Sequence, residues 1–288
     1  MERTVNATCS RVNISGKKMW EFRKNKLDKE LLLRPTVLLF SLVYFAVIAV
    51  PVYAIFSSAG IRSVFSALEK ADNRSSLFIS LKTSFVTVIL IILICTPVVF
   101  FLSGKKESVL LKMFETLVTV PTVLPPAIAG IGLLLAFGRT GFIGAWLERF
   151  NIEVVFTPIA VILAQFFVAS GFYIQVLKTG VDSIEPEMFE VSYLLGLGKA
   201  ETFIRVIIPM MIKPLTVGIM LSWTRALGEF GATIMFAGNM LGKTRTIPLQ
   251  IYTLLQTDIK SAAAVSMLLF MISFLSLFLL KIILSSRT

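Results

Sequence analysis

An arginine and a glutamate four positions apart, Arg225 and Glu229, stand inside a stretch that is otherwise almost wholly apolar from about 205 to 237. Four residues make about one helical turn, so the two side chains share a face and can form an ion pair. Little else in the sequence can react. There is no His, which removes imidazole bases, His-ligated metal centres and Ser-His-Asp triads. Cys9 stands in the polar N-terminus and Cys95 inside an apolar run, an arrangement that suits neither a disulfide framework nor a CxxC site. The apolar runs hold no paired carboxylates, and no GxSxG or HExxH pattern occurs, so a membrane-embedded transferase or protease finds no catalytic set here. Ala237 to Thr244 fits a loosened phosphate-loop pattern, but the stricter form needs Gly where Ala237 stands, and an apolar helix rather than a strand precedes it. ATP is not expected there. No residue is assigned to catalysis and none to a metal.

The elements that position these residues are membrane spans. The chain has 288 residues, 56% hydrophobic and 16% charged, whereas a soluble domain is nearer half apolar with about a quarter charged. The apolar residues gather into runs long enough to cross about 30 Å of hydrocarbon at about 1.5 Å per residue. Six spans are expected, at about 36–57, 77–103, 111–137, 157–180, 205–237 and 262–284, and the fifth is too long for one straight helix. The first resembles an uncleaved anchor more than a signal peptide, whose apolar core is shorter. Before it lies a basic extension, 1–35, with little apolar periodicity and disorder as its default.

A net charge of +11 would suggest nucleic acid in a soluble protein, but Lys and Arg here fall between and before the spans, where membrane orientation explains them. Nine lie in 1–35, three around 104–112, three around 178–205 and two at the C-terminus, against three, two and three in 58–76, 138–156 and 238–260. By the positive-inside rule both termini face the cytoplasm.

Prolines are expected to interrupt several spans, at Pro51, at Pro97 and above all at Pro121, Pro125 and Pro126 in the third, where each removes a backbone donor. Non-helical backbone at membrane depth is tolerated where protein or a water-filled cavity satisfies it. Two readings stand for this segment: a wall of a pathway or subunit contact, or an ordinary kinked helix. For Arg225 and Glu229, with Gly228 and Gly231 beside them, the alternatives are a lining or gate of a conduit and a helix-bracing ion pair. Lys82, Glu115 and Lys213 lie near span ends and can snorkel.

The segment between spans four and five, 183–203, is long for a connection. Pro186 suits a first helical turn, and Glu187 and Glu190 suit its positive end. Met188, Val191 or Ser192, and Leu195 then recur with helical spacing, which makes an amphipathic helix. Gly196 and Gly198 end it. With few basic residues it is poorly suited to a lipid surface, and another protein is the better partner.

Glu190, Gly196 six residues on, then Val206, Ile208 and Pro209 resemble the EAA signature of ABC importer permeases. Val191 and Ser192 stand where that signature has two alanines. The resemblance implies an all-α integral membrane protein with the type I ABC importer permease fold and cytoplasmic coupling helices between spans 4 and 5. Glu187, Glu190, Val191, Ser192, Leu195, Gly196 and Pro209 would then contact or shape the seat of a separate cytoplasmic ABC ATPase. Residues 120–144 and 224–256 are similar to molybdate permeases, with sulfate, thiosulfate and tungstate permeases the alternatives and an ATP-independent transporter or channel a more distant one. Further implications are a second copy of the chain, an extracytoplasmic molybdate-binding protein and the cytoplasmic (inner) membrane of a prokaryote. The chain would bind no cofactor itself, ATP and Mg residing on the ATPase. Pro121, Pro125, Pro126, Arg225, Glu229 and Gly231 are the candidates for pathway or gate. Lys243 and Arg245, in an outer loop, are available to an anion or to acidic docking residues, unless that loop is simply solvated.

Overall fold

The computed structural model of the chain describes residues 2–102 and 109–285, with side chains from Pro35 onward. Part of the basic segment around 104–112, namely 103–108, lies outside the described residues. Residues 1–57 and 58–288 form two compact units.

The first unit lies in helix α1 (Glu2–Glu69), which is interrupted only at Gly60, where φ is 66° and ψ 151°. Its Pro35–Gly60 stretch is long and apolar enough to cross a bilayer, and 0% of its apolar window is buried within the chain. The extension 1–35, read as disordered from its composition, has a helical backbone from Glu2 onward. Extending a helix from a nucleated span forms one hydrogen bond per residue fixed, and the Lys, Glu and Leu residues from 17 onward favour helix.

The second unit comprises α2 (Ala71–Leu102), α3 (Val109–Val123), α4 (Pro126–Phe137), α5 (Gly144–Glu148), α6 (Pro158–Asp182), α7 (Pro186–Leu194), α8 (Lys199–Thr202), a π-helical turn (Phe203–Ile207), α9 (Ile208–Met210), α10 (Ile212–Leu227), α11 (Gly231–Phe236), α12 (Ile247–Leu255) and α13 (Ile259–Ser285). No strand occurs among the described residues. Among the described residues, four helices are long and apolar enough to span. Two bent pairs, α3 with α4 at 112° and Phe203–Met210 with α10 at 64°, raise the number to six if each pair is one span. The third span breaks at Leu124 and Pro125, not at Pro121, which sits inside α3, and Pro51 and Pro97, expected to break the first two spans, likewise lie inside α1 and α2. A residue that precedes proline is pushed out of the α region, and Leu124 and Pro125 both precede one. The long fifth stretch divides into the π-turn, α9, α10 and α11. Pro209 offers no amide to the ladder, and the π-turn just before it absorbs the mismatch.

Helix α6 is the post around which this unit packs, touching α2, α3, α4, α10 and α11. Its first half, with Ala160, Val161, Ala164 and Val168, forms a core with Ala129 of α4 and Ala232 and Phe236 of α11. Its second half, with Tyr173 and Leu177, packs on Ile91, Cys95 and Val99 of α2 and on Met211 and Ala226. Small residues let these backbones approach.

Helix α2 meets its neighbours through a polar stripe that its apolar average conceals. Ser76, Ser80, Thr83, Ser84 and Thr87 are all buried along one face. Trp223 Nε1 donates to Ser84 Oγ at 3.1 Å, the Ile247 amide to Ser80 Oγ at 2.7 Å, and Gln250 Nε2 to Asn73 Oδ1 at 2.8 Å. Thr87 Oγ1 donates to Gln165 Oε1 at 3.1 Å. Interhelical bonds of this kind contribute on the order of 0.6 kcal/mol each in membranes, so the stripe sets register more than it sets total stability. Before α13, the Ser261 hydroxyl donates to Asp258 Oδ2 at 2.6 Å; that hydrogen bond holds the Asp258 carboxyl below its ordinary value.

Gly130 is where α4 and α11 come closest: a Cβ added there would lie 2.7 Å from the Ala232 carbonyl oxygen and 2.8 Å from its Cα, whereas one at Gly132 would meet nothing within 4 Å. Gly130→Val should therefore destabilise the purified protein by about 1–3 kcal/mol, read as a lower thermal midpoint in detergent, while Gly132→Val leaves the midpoint unchanged.

Candidate functional site

The residues singled out in the sequence fall into three places. The first is α7, four residues beyond the end of α6. Pro186 opens the helix, and Glu185, at its N-cap, is extended at φ −61° and ψ 132°. The helix closes in a Schellman motif, with the Leu197 amide donating to Ser192 O at 3.1 Å and the Gly196 amide to Tyr193 O at 3.0 Å. Gly196 has φ +81°, a left-handed conformation that costs other residues roughly 1–2 kcal/mol. Gly198 has no such conformation; its carbonyl accepts the Thr202 amide and starts α8.

Exposure divides this helix. Ser192 is buried, its hydroxyl donating to Met188 O at 2.7 Å. Val191, Leu194 and Leu195 are 50%, 86% and 75% exposed, and Glu187 and Glu190 are exposed beside them. Leu194 was absent from the amphipathic set read from sequence; its position three residues after Val191 was the available signal. Pro209 stands apart in α9, at the bend.

The second place is the break between α10 and α11. Arg225 Nη1 lies 2.6 Å from Glu229 Oε2, with the glutamate side chain 1% exposed and the arginine 26%. The contact is an ion pair and not an aligned hydrogen bond. The other carboxylate oxygen, Oε1, accepts the Ala232 amide at 2.8 Å, one of the amides that the start of α11 leaves without an intrahelical partner. Glu229 therefore both pairs with Arg225 and caps the next helical piece. Gly231 lies against Pro126, where an added Cβ would meet the proline Cβ at 3.0 Å. The structure thus brings Gly231 to Pro126 and sets the α10–α11 break beside the α3–α4 break. Pro125 is the N-cap of α4, at φ −54° and ψ 131°, and Pro121 lies one turn back within α3.

The third place is the loop between α11 and α12. Lys243 is exposed. Arg245 is half-buried and turned inward: Nε donates to Asn239 Oδ1 at 2.8 Å, Nη2 to Asn239 O and Nη1 to Gln250 Oε1, each at 3.4 Å. Its guanidinium braces the loop.

A further cluster was not legible. Glu115, read as a snorkelling side chain, lies 3.3 Å from Lys178 Nζ, which lies 2.7 Å from Asp182 Oδ2. Of the other snorkelling candidates, Lys82 stands 5.9 Å over the Phe78 ring.

Comparison with known proteins bears on all three places. Residues 100–287 match the family described as binding-protein-dependent transport system inner membrane component. The chain is 45% identical over 262 residues, 91% of each chain, to a probable transport system permease protein, NifC, of Clostridium pasteurianum. It is 34% identical over 226 residues to the molybdenum transport system permease protein ModB of Mycobacterium tuberculosis, covering 78% of this chain and 85% of that one. It is also 35% identical over 167 residues to the sulfate transport system permease protein CysT of Escherichia coli, 58% of this chain and 60% of the other. Among solved structures, a chain of a bacterial ABC transporter that imports the acidic polysaccharide alginate superposes with a TM-score of 0.69 at 14% identity, over 92% of this chain and 98% of that one. At that identity the likeness concerns the fold.

Because Glu229 is buried and Arg225 partly exposed, the two should respond unequally to substitution. Arg225→Met strands a buried carboxylate and should cost about 3–5 kcal/mol. Glu229→Gln keeps an oxygen for the Ala232 amide and should cost less. Denaturant titration of the purified protein measures both, and the opposite order would contradict the capping role of Glu229.

Proposed function

Since the chain belongs to the family of binding-protein-dependent transport system inner membrane components, whose members are non-catalytic permease subunits, we propose that it is the conduit of an ATP-driven oxyanion importer that carries molybdate. In this reading two copies form the pathway in the cytoplasmic membrane, with both termini on the cytoplasmic side. An extracytoplasmic binding protein delivers the anion and a separate cytoplasmic ATPase hydrolyses ATP.

The observation that carries the reading is the exposed apolar face of α7. Val191, Leu194 and Leu195 present aliphatic surface beside two carboxylates, at a point where the chain leaves the span that packs on α2, α3, α4, α10 and α11. An apolar patch rimmed by charge suits a protein partner. ATP binding that draws two ATPase subunits together would displace α7, and α6 would carry the displacement to the α3–α4 and α10–α11 breaks. Alternating access needs contacts that differ between two states, and breaks held by a buried ion pair and small-residue packing can provide them. Glu187 and Glu190 border the ATPase contact, Ser192 and Gly196 shape the helix, and Pro209 sets the bend beyond it. Pro121, Pro125, Pro126, Arg225, Glu229 and Gly231 belong to the wall or gate of the pathway. Lys243 contributes to an outer docking surface whose loop Arg245 holds in shape.

The choice of molybdate draws on the molybdenum permease relatives. Similarity to a sulfate permease supports a second reading, sulfate, since both are tetrahedral dianions and much of the selection belongs to the binding protein.

Proteoliposomes containing this chain, its ATPase and its binding protein should take up labelled molybdate only with ATP, and in preference to sulfate. Uptake by the chain alone would overturn the importer reading, and a preference for sulfate would overturn the anion. Leu194→Glu with Leu195→Glu should lower co-purification of the ATPase about tenfold or more, equivalent to a loss of roughly 1.4 kcal/mol. Undiminished co-purification would remove α7 as the seat.

A further inference from the structure

Helix α3 is the first limb of the 112° broken pair, yet it buries none of its residues. Val118 of α3 packs, partly buried, against the core that α6 shares with α2, and a short series of side-chain ties fastens α3 to α6 on either side of it. Glu115 Oε1 meets Lys178 Nζ at 3.3 Å. Two turns further along α3, Thr122 Oγ1 accepts from Gln175 Nε2 at 3.2 Å. The same threonine closes against Gly171, where an added Cβ would lie 2.5 Å from Thr122 Cγ2. Numbers rise along α3 as they fall along α6, so the ties form an antiparallel row. Lys178 also holds Asp182, one turn on, at 2.7 Å. Beyond Asp182 come only Ser183, the buried Ile184 and Glu185 before α7 begins.

The ties border a cavity of 630 Å³ lined in part by Lys112, Thr116, Thr119 and Thr179. Its threonine hydroxyls donate within their own helices, Thr116 to Lys112 O, Thr119 to Thr116 O and Thr179 to Gln175 O. With those protons committed and with Glu115 and Asp182 in the lining, the cavity is poorly suited to hold an anion. A mechanical role for its charges fits better.

We propose that Lys178, held between Glu115 and Asp182, is a positioning residue that fastens the first limb of the broken span to the end of the helix leading into α7, so that the two move as one body. Without the tie, α6 would follow α7 while α3 lagged, and the break at Leu124–Pro125 would not be driven. One lysine serving two carboxylates joins the strut at the point where the displacement enters. The inference rests on the importer reading.

The test uses the complete complex of this chain with its ATPase and binding protein in proteoliposomes. Glu115→Gln and Lys178→Met should leave ATPase assembly and hydrolysis near the unsubstituted level while anions carried per ATP fall about tenfold, within the span of ordinary coupling free energies. Glu115→Lys combined with Lys178→Glu and Asp182→Lys re-forms both ion pairs with their signs exchanged and should restore the ratio. Spin labels at Leu117 and Thr179 should report the same separation with and without ATP. A coupling ratio unaffected by Glu115→Gln, no rescue by the exchange, or a separation that changes with nucleotide would each overturn the proposal. Failure of the importer reading is distinguishable, because the unsubstituted complex would then show no ATP-driven uptake.

Discussion

A helix that breaks at membrane depth frees backbone amides and carbonyls that hydrocarbon cannot satisfy. Among the described residues after α2, three breaks fall within apolar stretches, and the packing around them follows from how each is closed. At Leu124–Pro125 the Pro125 carbonyl accepts the Ile128 and Ala129 amides, restarting a helix at once. At Met211 the amide reaches back to Ile207 and Ile208. At 228–230 the backbone alone does not suffice: the Glu229 carboxylate takes the Ala232 amide and Arg225 balances the charge. A charged side chain is tolerated there because it has two partners and does the work of a cap.

Placing two breaks side by side requires close packing, and residue size provides it. Gly130, Gly231 and Ala232 let α4 and α11 touch backbone to backbone, and the alanines of α6 form the floor beneath them. Helix α6 unites this region with α7, because one half packs on the α4–α11 pair and the other half runs toward the segment whose apolar side is left open. Ile184, in the connection from α6 to α7, is buried in the same core as the second half of α6. The likeness to the alginate importer chain extends over nearly the whole length at low identity, in keeping with an arrangement that depends on residue size and helix breaks more than on particular side chains.

Much of this was legible in the order of residues. Run length identifies the spans, because hydrocarbon thickness sets the number of residues needed to cross it. The Glu190 to Pro209 spacing pointed to the α7 segment, and the left-handed conformation at Gly196 explains why glycine stands there. The four-position spacing of Arg225 and Glu229 allowed a pair, and the pair is present. What was not legible was mostly a matter of partners distant in sequence. The stripe from Ser76 to Thr87 finds its partners Trp223, Ile247 and Gln165 on elements remote in the chain. Arg245 looked available because its partners, Asn239 in the loop and Gln250 in α12, are brought to it by a loop course that no periodicity encodes.

By itself the sequence determined the class of the protein, the apolar runs, that the third and fifth of them could not be single straight helices, and the amphipathic helix between spans four and five; it did not determine which prolines break a helix, since α1, α2 and α3 continue through Pro51, Pro97 and Pro121. These are local properties, written in hydropathy, proline chemistry and helical spacing over a few turns. The tertiary structure alone decided which break lies beside which, that Glu229 caps α11, that Ser192 turns inward while Leu194 turns out, and that Lys178 bridges Glu115 and Asp182. Those outcomes depend on the crossing of helices remote in the chain, and close approach there is governed by the shapes of both surfaces together, which neither segment encodes alone.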